Sequence, residues 1–167
     1  MRMKVMEYKR KHRKNPVKIC FAASSGGHFE QLLMLRPLME KYDSFILTEK
    51  TQYQASVPGE KMYLMKKVIP IDRFYVPWTI VNILHSLLIF LKEQPDVVIS
   101  TGVFVTVPMC VFAKLFGRKV IYIESFAKVT SPTKTGRFLY RIADRFYVQW
   151  EQMLEVYPDA VCLGGIY

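Results

Sequence analysis

The stretch Val17-Lys18-Ile19-Cys20-Phe21-Ala22-Ala23-Ser24-Ser25-Gly26-Gly27-His28 decides the fold. Its first seven residues are almost all apolar, as in a strand covered on both faces, and two glycines then allow the sharp turn into a helical pattern over 28–41. The unit repeats downstream. Further strands are expected at 43–48, 61–69, 96–100, 119–124, 145–149 and 160–163, and helices at 77–93, 103–116, 134–143 and 150–156. Val97-Val98-Ile99 and Val120-Ile121-Tyr122-Ile123 are apolar without a break, which again marks strands buried from both sides. Strand-helix alternation of this kind predicts an α/β domain, a Rossmann-like parallel sheet with helices on both faces. Pro37 falls inside the first helical pattern, so a kink or restart is expected there.

With 167 residues, 51% hydrophobic and 14% aromatic, the chain suits one domain with a sizeable core, and a disordered chain is excluded. Its charge is unevenly placed. The net charge is +10, but residues 1–18 hold eight Lys or Arg against Glu7 alone, a net +7, which leaves only +3 for the other 149. A basic tail over 1–16 therefore precedes a folded body over 17–167. Such a tail suits anionic lipid, nucleic acid or plain solvent. No RNA-binding aromatic motif or helix-turn-helix pattern accompanies the charges, so nucleic acid is not expected as a partner. The apolar run after the tail ends at Ala23, too short for a signal peptide, and the body is expected to stay on the cytoplasmic side. Cys20, Cys110 and Cys162 lie in apolar runs without CxxC spacing, so no disulfide framework, metal site or cofactor is expected.

Val76 to Leu91 is a run of sixteen residues without a charge, interrupted by Asn82, His85 and Ser86. That is short of the roughly 20 residues a spanning helix needs, yet too apolar for an ordinary surface helix. Two placements remain open: burial in the core, or one side dipping into a membrane surface through Trp78, Ile80, Leu84, Leu87 and Leu88. Tyr75 and Trp78 at its start would suit the interface.

Chemistry gathers where strands end. Ser24, Ser25, Gly26 and Gly27 open the first helix, a place where main-chain amides and a helix N-terminus favour a phosphate, although the pattern is neither a GxGxxG fingerprint nor a P-loop. His28 beside it could act as a general base or a phosphate contact, or it could merely pack. Ser100-Thr101-Gly102 and Glu124-Ser125 end two further strands. In an open α/β sheet such loops converge on one crevice. Glu124 closes an apolar strand, where a carboxylate is costly to bury without a purpose or partner, so it is either a catalytic group or a cap for loop amides. Arg137, Arg141 and Arg145 recur every four residues and could grip a pyrophosphate or lipid headgroups, or form a solvated basic face.

Taken in order, Ser-Ser-Gly-Gly-His-Phe-Glu-Gln-Leu at 24–32, Pro-Asp-Val-Val-Ile-Ser-Thr-Gly at 95–102, Tyr-Ile-Glu-Ser at 122–125, Ala-Asp-Arg-Phe-Tyr-Val-Gln-Trp at 143–150 and the terminal Gly-Gly-Ile-Tyr resemble a known family. It is the accessory subunits of oligosaccharide biosynthesis, typified by the membrane subunit of the eukaryotic dolichol-linked GlcNAc transferase and, closer, by bacterial capsule and exopolysaccharide counterparts. More distantly the chain resembles the N-terminal half of the peptidoglycan enzyme that adds GlcNAc to a lipid-linked muramyl peptide. The resemblance implies the N-terminal domain of a GT-B glycosyltransferase, set apart as its own chain. It implies a partner, a UDP-sugar-binding catalytic subunit, contacted through residues 162–167, and a polyprenyl-pyrophosphate-linked sugar as acceptor. It implies peripheral attachment to the cytoplasmic face of a bacterial membrane. Ser24, Ser25, Gly26, Gly27, Thr101, Gly102 and Ser125 would border the acceptor's phosphates, with His28 as first and Glu124 as second choice of base. The peptidoglycan enzyme's His-Glu-Gln-Asn run stands here as Ile123-Glu124-Ser125-Phe126. The alternative from the residues alone is a stand-alone Rossmann-like nucleotide-binding protein, reductase-like, with Glu49 in the ribose-binding place.

Overall fold

Alternation with a period of two sorts the strand residues onto two faces, and each face has its own core. Ile19, Phe21 and Ala23 point to one side and Cys20 and Ala22 to the other, all of them buried. The computed structural model describes residues 16–51, 57–68 and 74–167; the basic tail expected over 1–16 lies, Pro16 apart, outside them. The strands are β1 (Lys18–Ala23), β2 (Asp43–Glu49), β3 (Lys61–Met65), β4 (Val97–Gly102), β5 (Lys119–Ile123), β6 (Arg145–Val148) and β7 (Val161–Cys162). They form one sheet in the order β3-β2-β1-β4-β5-β6-β7, and every pairing is parallel.

The helices are α1 (Gly27–Leu33), α2 (Arg36–Lys41), α3 (Tyr75–Glu93), α4 (Val107–Leu115) and α5 (Lys134–Leu139). Parallel neighbours require crossovers, and right-handed crossovers leading in opposite directions from β1 put their helices on opposite faces. Phe29 and Leu32 of α1 and Met39 of α2 accordingly share a core with Ile19, Phe21, Ile46 and Ile99. Ile89 and Phe90 of α3, Met109 and Ala113 of α4 and Leu139 of α5 share the other with Cys20, Leu47, Val98 and Val120. The strand order reverses between β1 and β4, which places a crevice at their carboxyl ends.

Several boundaries differ from the sequence reading. The expected helix over 28–41 is two, broken at Met34-Leu35, with Pro37 in the opening turn of α2, where its missing N–H costs nothing. The helix expected over 103–116 begins as a 3-10 turn, Phe104–Thr106, and that over 150–156 is only a 3-10 turn, Glu151–Leu154. The helix expected over 134–143 stops at Leu139, where the Arg141 and Ile142 amides shift to the carbonyls three residues back, those of Phe138 and Leu139, before β6 begins. Arg141 thus leaves the helix, and Arg145 opens β6 at the sheet edge opposite the strands' carboxyl ends, so the three arginines do not form one anion grip.

Candidate functional site at the carboxyl edge of the sheet

Of the three strand-end loops, those after β1 and β4 are joined directly. The Ser24 amide donates to the Gly102 carbonyl at 2.8 Å, tying the end of β1 to the end of β4. The chain then turns at Gly26 with φ +78 and enters α1, while a side chain placed on Gly26 or Gly27 would meet only open space. Ser24 is buried, whereas Gly26 and Gly27 are exposed and Ser25 and His28 half-exposed. The Ser25 hydroxyl donates to Glu49 Oε2 at 3.3 Å, so the carboxylate ending β2 already has a partner within the loop.

His28 and Thr101 hold one another. Nδ1 of His28 lies 2.7 Å from the Thr101 carbonyl, and the Thr101 hydroxyl donates to the His28 carbonyl at 2.8 Å. The turn beneath them is stapled by Ser100, whose Oγ accepts from the Gly102 amide at 3.1 Å and lies 2.8 Å from Thr106 Oγ1. Gly102 has φ +102, and a Cβ there would stand 3.3 Å from the His28 ring and from the Tyr122 hydroxyl. Thr101 is fully buried, so its hydroxyl is engaged inward and does not face the open space beside Gly26 and Gly27.

Glu124 is 1% exposed and fully occupied. Oε1 accepts from the Ser125 amide at 2.9 Å and the Thr133 hydroxyl at 3.0 Å. Oε2 accepts from the Tyr157 hydroxyl at 3.0 Å and the Thr133 amide at 3.3 Å. Both phenols around it are pushed above the ordinary tyrosine range, Tyr157 by burial and then by the Glu124 charge, Tyr122 by burial and again Glu124, so they stay protonated and Tyr157 remains a donor to the carboxylate. Of the two roles left open for Glu124, the structure favours the cap: it fixes the loop over 125–133 and leaves no oxygen free to take a proton from a ligand. Ser125 faces this carboxylate through its amide. Sequence reasoning missed Thr133, Tyr157 and Gln149. Thr133 could have been found as a threonine three residues before Gly136 at a helix start, since its hydroxyl caps the Gly136 amide at 2.8 Å. Tyr157 and Gln149, whose side chain donates to the Glu124 carbonyl at 2.8 Å, carry no local signal.

A second surface adjoins the site. The inward face of α3 is largely polar: Asn82, Ser86 and Glu93 are buried beside Ile89 and Phe90. Asn82 accepts from the Lys66 amide at 3.1 Å and donates to its carbonyl at 2.7 Å, and Glu93 takes Lys18, Lys61 and Tyr63. The outward row is apolar, with Val76, Ile80, Leu84 and Leu88 52–65% exposed and Leu91 48%. Leu115 and Phe116 at the end of α4 and Phe104 beside the site extend it. Burial of the segment as a whole, one of the two placements left open, does not occur: only its inward face, with Ile89 and Phe90, joins the core. Trp78 and Leu87 are only half-exposed, and the Lys66 ammonium lies 2.9 Å from the Trp78 ring centre. By length and composition α3 could cross a membrane, but its polar side is bound to the sheet.

This geometry has relatives. The profile described as "Oligosaccharide biosynthesis protein Alg14 like" matches residues 73–166, more than half of the chain. The chain belongs to that family. It is 37% identical over 100 residues to the human "UDP-N-acetylglucosamine transferase subunit ALG14", covering 54% of this chain and 46% of the relative. It is 30% identical to the Yarrowia lipolytica protein of the same name, covering 92% of this chain and 82% of that one. In the human, rat and mouse relatives the match spans under half their length. Among solved structures, Acinetobacter baumannii MurG superposes with a TM-score of 0.64 at 15% identity over 82% of this chain and 43% of MurG. UDP-N-acetylglucosamine 2-epimerase from Rickettsia bellii does so with a TM-score of 0.67 at 12% identity, over 90% and 45%. The family member therefore has the Rossmann-like fold of a GT-B N-terminal domain, matched to about half of each neighbour.

Proposed function

We propose that this chain is the membrane-bound acceptor subunit of a two-chain inverting glycosyltransferase that extends a lipid-linked saccharide. The observation that carries it is the inverted polarity of α3, apolar outward and polar inward, directly beside the convergent loops of the sheet edge. Trp78, Ile80, Leu84, Leu87 and Leu88 would meet the lipid, and the tail over 1–16 would add attraction to anionic headgroups. A lipid-linked pyrophosphate would then reach the open turn at Ser25, Gly26 and Gly27 without leaving the bilayer surface. His28 is the base for the acceptor hydroxyl. Relatives named as subunits of a UDP-N-acetylglucosamine transferase support UDP-GlcNAc as donor and a separate chain as its binder.

The C-terminal segment is the proposed contact with that partner. Leu163 is 81% exposed and Tyr167 63%, while Ile166 is anchored by its amide to Gln149 at 2.9 Å. The bacterial capsule and exopolysaccharide setting is not carried forward, because the named relatives are animal and fungal; peripheral attachment to the cytoplasmic face of a membrane is retained. The test is reconstitution with the UDP-sugar-binding chain on a polyprenyl-pyrophosphate-GlcNAc acceptor in vesicles. Transfer is expected from the pair and not from this chain alone. Equal rates with and without the partner would overturn the two-chain reading.

A further inference from the structure

Two residues expected to touch the ligand grip His28 instead. A carbonyl oxygen can only accept, so the 2.7 Å contact between His28 Nδ1 and the Thr101 carbonyl requires the proton on Nδ1. In the neutral ring the lone pair then belongs to Nε2. The buried Thr101 hydroxyl clamps the His28 main chain at 2.8 Å, which fixes where the side chain departs from α1. Gly102, next in line, lies so close that a Cβ would press on Nδ1 and Cε1 of the ring at 3.3 Å and on the Tyr122 hydroxyl at the same distance.

We infer that Thr101 and Gly102 are positioning residues for His28 and not ligands of the acceptor's phosphates. The inference rests on His28 being the base proposed above. The Thr101 carbonyl sets the tautomer, the Thr101 hydroxyl holds the backbone, and Gly102 leaves the ring its seat, so that Nε2 is presented to the acceptor. As the acceptor oxygen bonds to the anomeric carbon of the UDP-sugar, the bond from that carbon to the phosphate oxygen breaks and UDP leaves with the electron pair. The hydroxyl proton passes to Nε2. The Nδ1–H to carbonyl bond then becomes a bond from a cation and strengthens.

The chain contains three histidines, so ring nitrogen-15 spectra of the full-length protein resolve the tautomer directly, with His28→Gln supplying the assignment. His28 is expected to be protonated at Nδ1 and unprotonated at Nε2 when neutral; the opposite tautomer overturns the inference whatever the enzyme does. In the reconstituted pair, Thr101→Val is expected to lower kcat by about 10- to 100-fold, the loss typical of a misplaced catalytic group. KM for UDP-GlcNAc should not change, and Thr101→Ser should restore kcat to within about 3-fold because it returns the clamp. Unchanged kcat in Thr101→Val, or a rise in acceptor KM alone, would return Thr101 to a ligand role and overturn the proposal. Should Thr101→Val fail to fold, the wild-type ring spectrum still decides. Wild-type turnover in His28→Gln would instead sink the base assignment, a failure separable from that of the grip.

Discussion

Replacing Gly136 by alanine tests the role of Glu124 most sharply. An ideal Cβ at this position overlaps Glu124 Oε2 and comes within 2.8 Å of both the Thr133 and Tyr157 hydroxyls. A flexible carboxylate could ordinarily swing aside, but here it is buried and held by four hydrogen-bonding groups of Ser125, Thr133 and Tyr157. Moving it forfeits one or two bonds to a buried charge, each on the order of 1.5 to 3 kcal/mol. Against that, alanine gains about 1 kcal/mol over glycine inside a helix. The balance is a loss between about 0.5 and 5 kcal/mol, with a midpoint of about 3 kcal/mol, and at about 2 to 4 °C per kcal/mol for a chain of this size that midpoint lowers the melting temperature by roughly 10 °C. Thermal unfolding by circular dichroism measures it. In a Glu124→Ala background the obstructing oxygen is absent, so the same Gly136→Ala change should cost less by about 2 kcal/mol. A melting temperature within about 2 °C of the parent for the single change, or strict additivity of the two, would refute the picture of a pinned carboxylate.

Further outcomes follow from the other clusters. Burial pushes the Glu93 carboxyl up, but hydrogen bonds from Lys61, Tyr63 and Lys18 outweigh it and bring the group down to about 2 from 4.5. Because the folded value is the lower one, its contribution is present above about pH 4.5 and is lost as pH falls toward 2. Allowing for the half-exposed Lys61, Glu93→Gln should cost about 1 to 2 kcal/mol at pH 7 and much less at pH 3 by urea titration; an equal cost at both pH values would contradict it. Leu84→Glu with Leu88→Glu removes two outward side chains that touch no core, so flotation with anionic vesicles should weaken at least 10-fold while the melting temperature stays within about 3 °C. Undiminished vesicle binding would rule out α3 as the lipid contact. Leu163→Asp should weaken co-purification with the UDP-sugar-binding chain about 10-fold or more, and undiminished co-purification would remove the C-terminal segment from the interface.

Seven strands, their parallel arrangement and the loops at their carboxyl ends were legible from the alternation of apolar runs with helical patterns. That is because burial on both faces demands unbroken apolar strands such as Val120 to Ile123. Position along the chain likewise put Ser24 to His28, Thr101-Gly102 and Glu124 at one edge, since a parallel sheet brings every strand end to the same side. What each of these side chains faces was decided only in three dimensions. Asn82 and Ser86 looked like interruptions of an apolar segment, but with Glu93 they form the face that binds the sheet, and the apolar row is left outside. Thr101 and Glu124, equally exposed to reasoning by position, prove to be turned inward, the one onto His28 and the other into Thr133 and Tyr157. Periodicity records which residues share a face; only the docking of that face determines whether it is core, ligand or membrane.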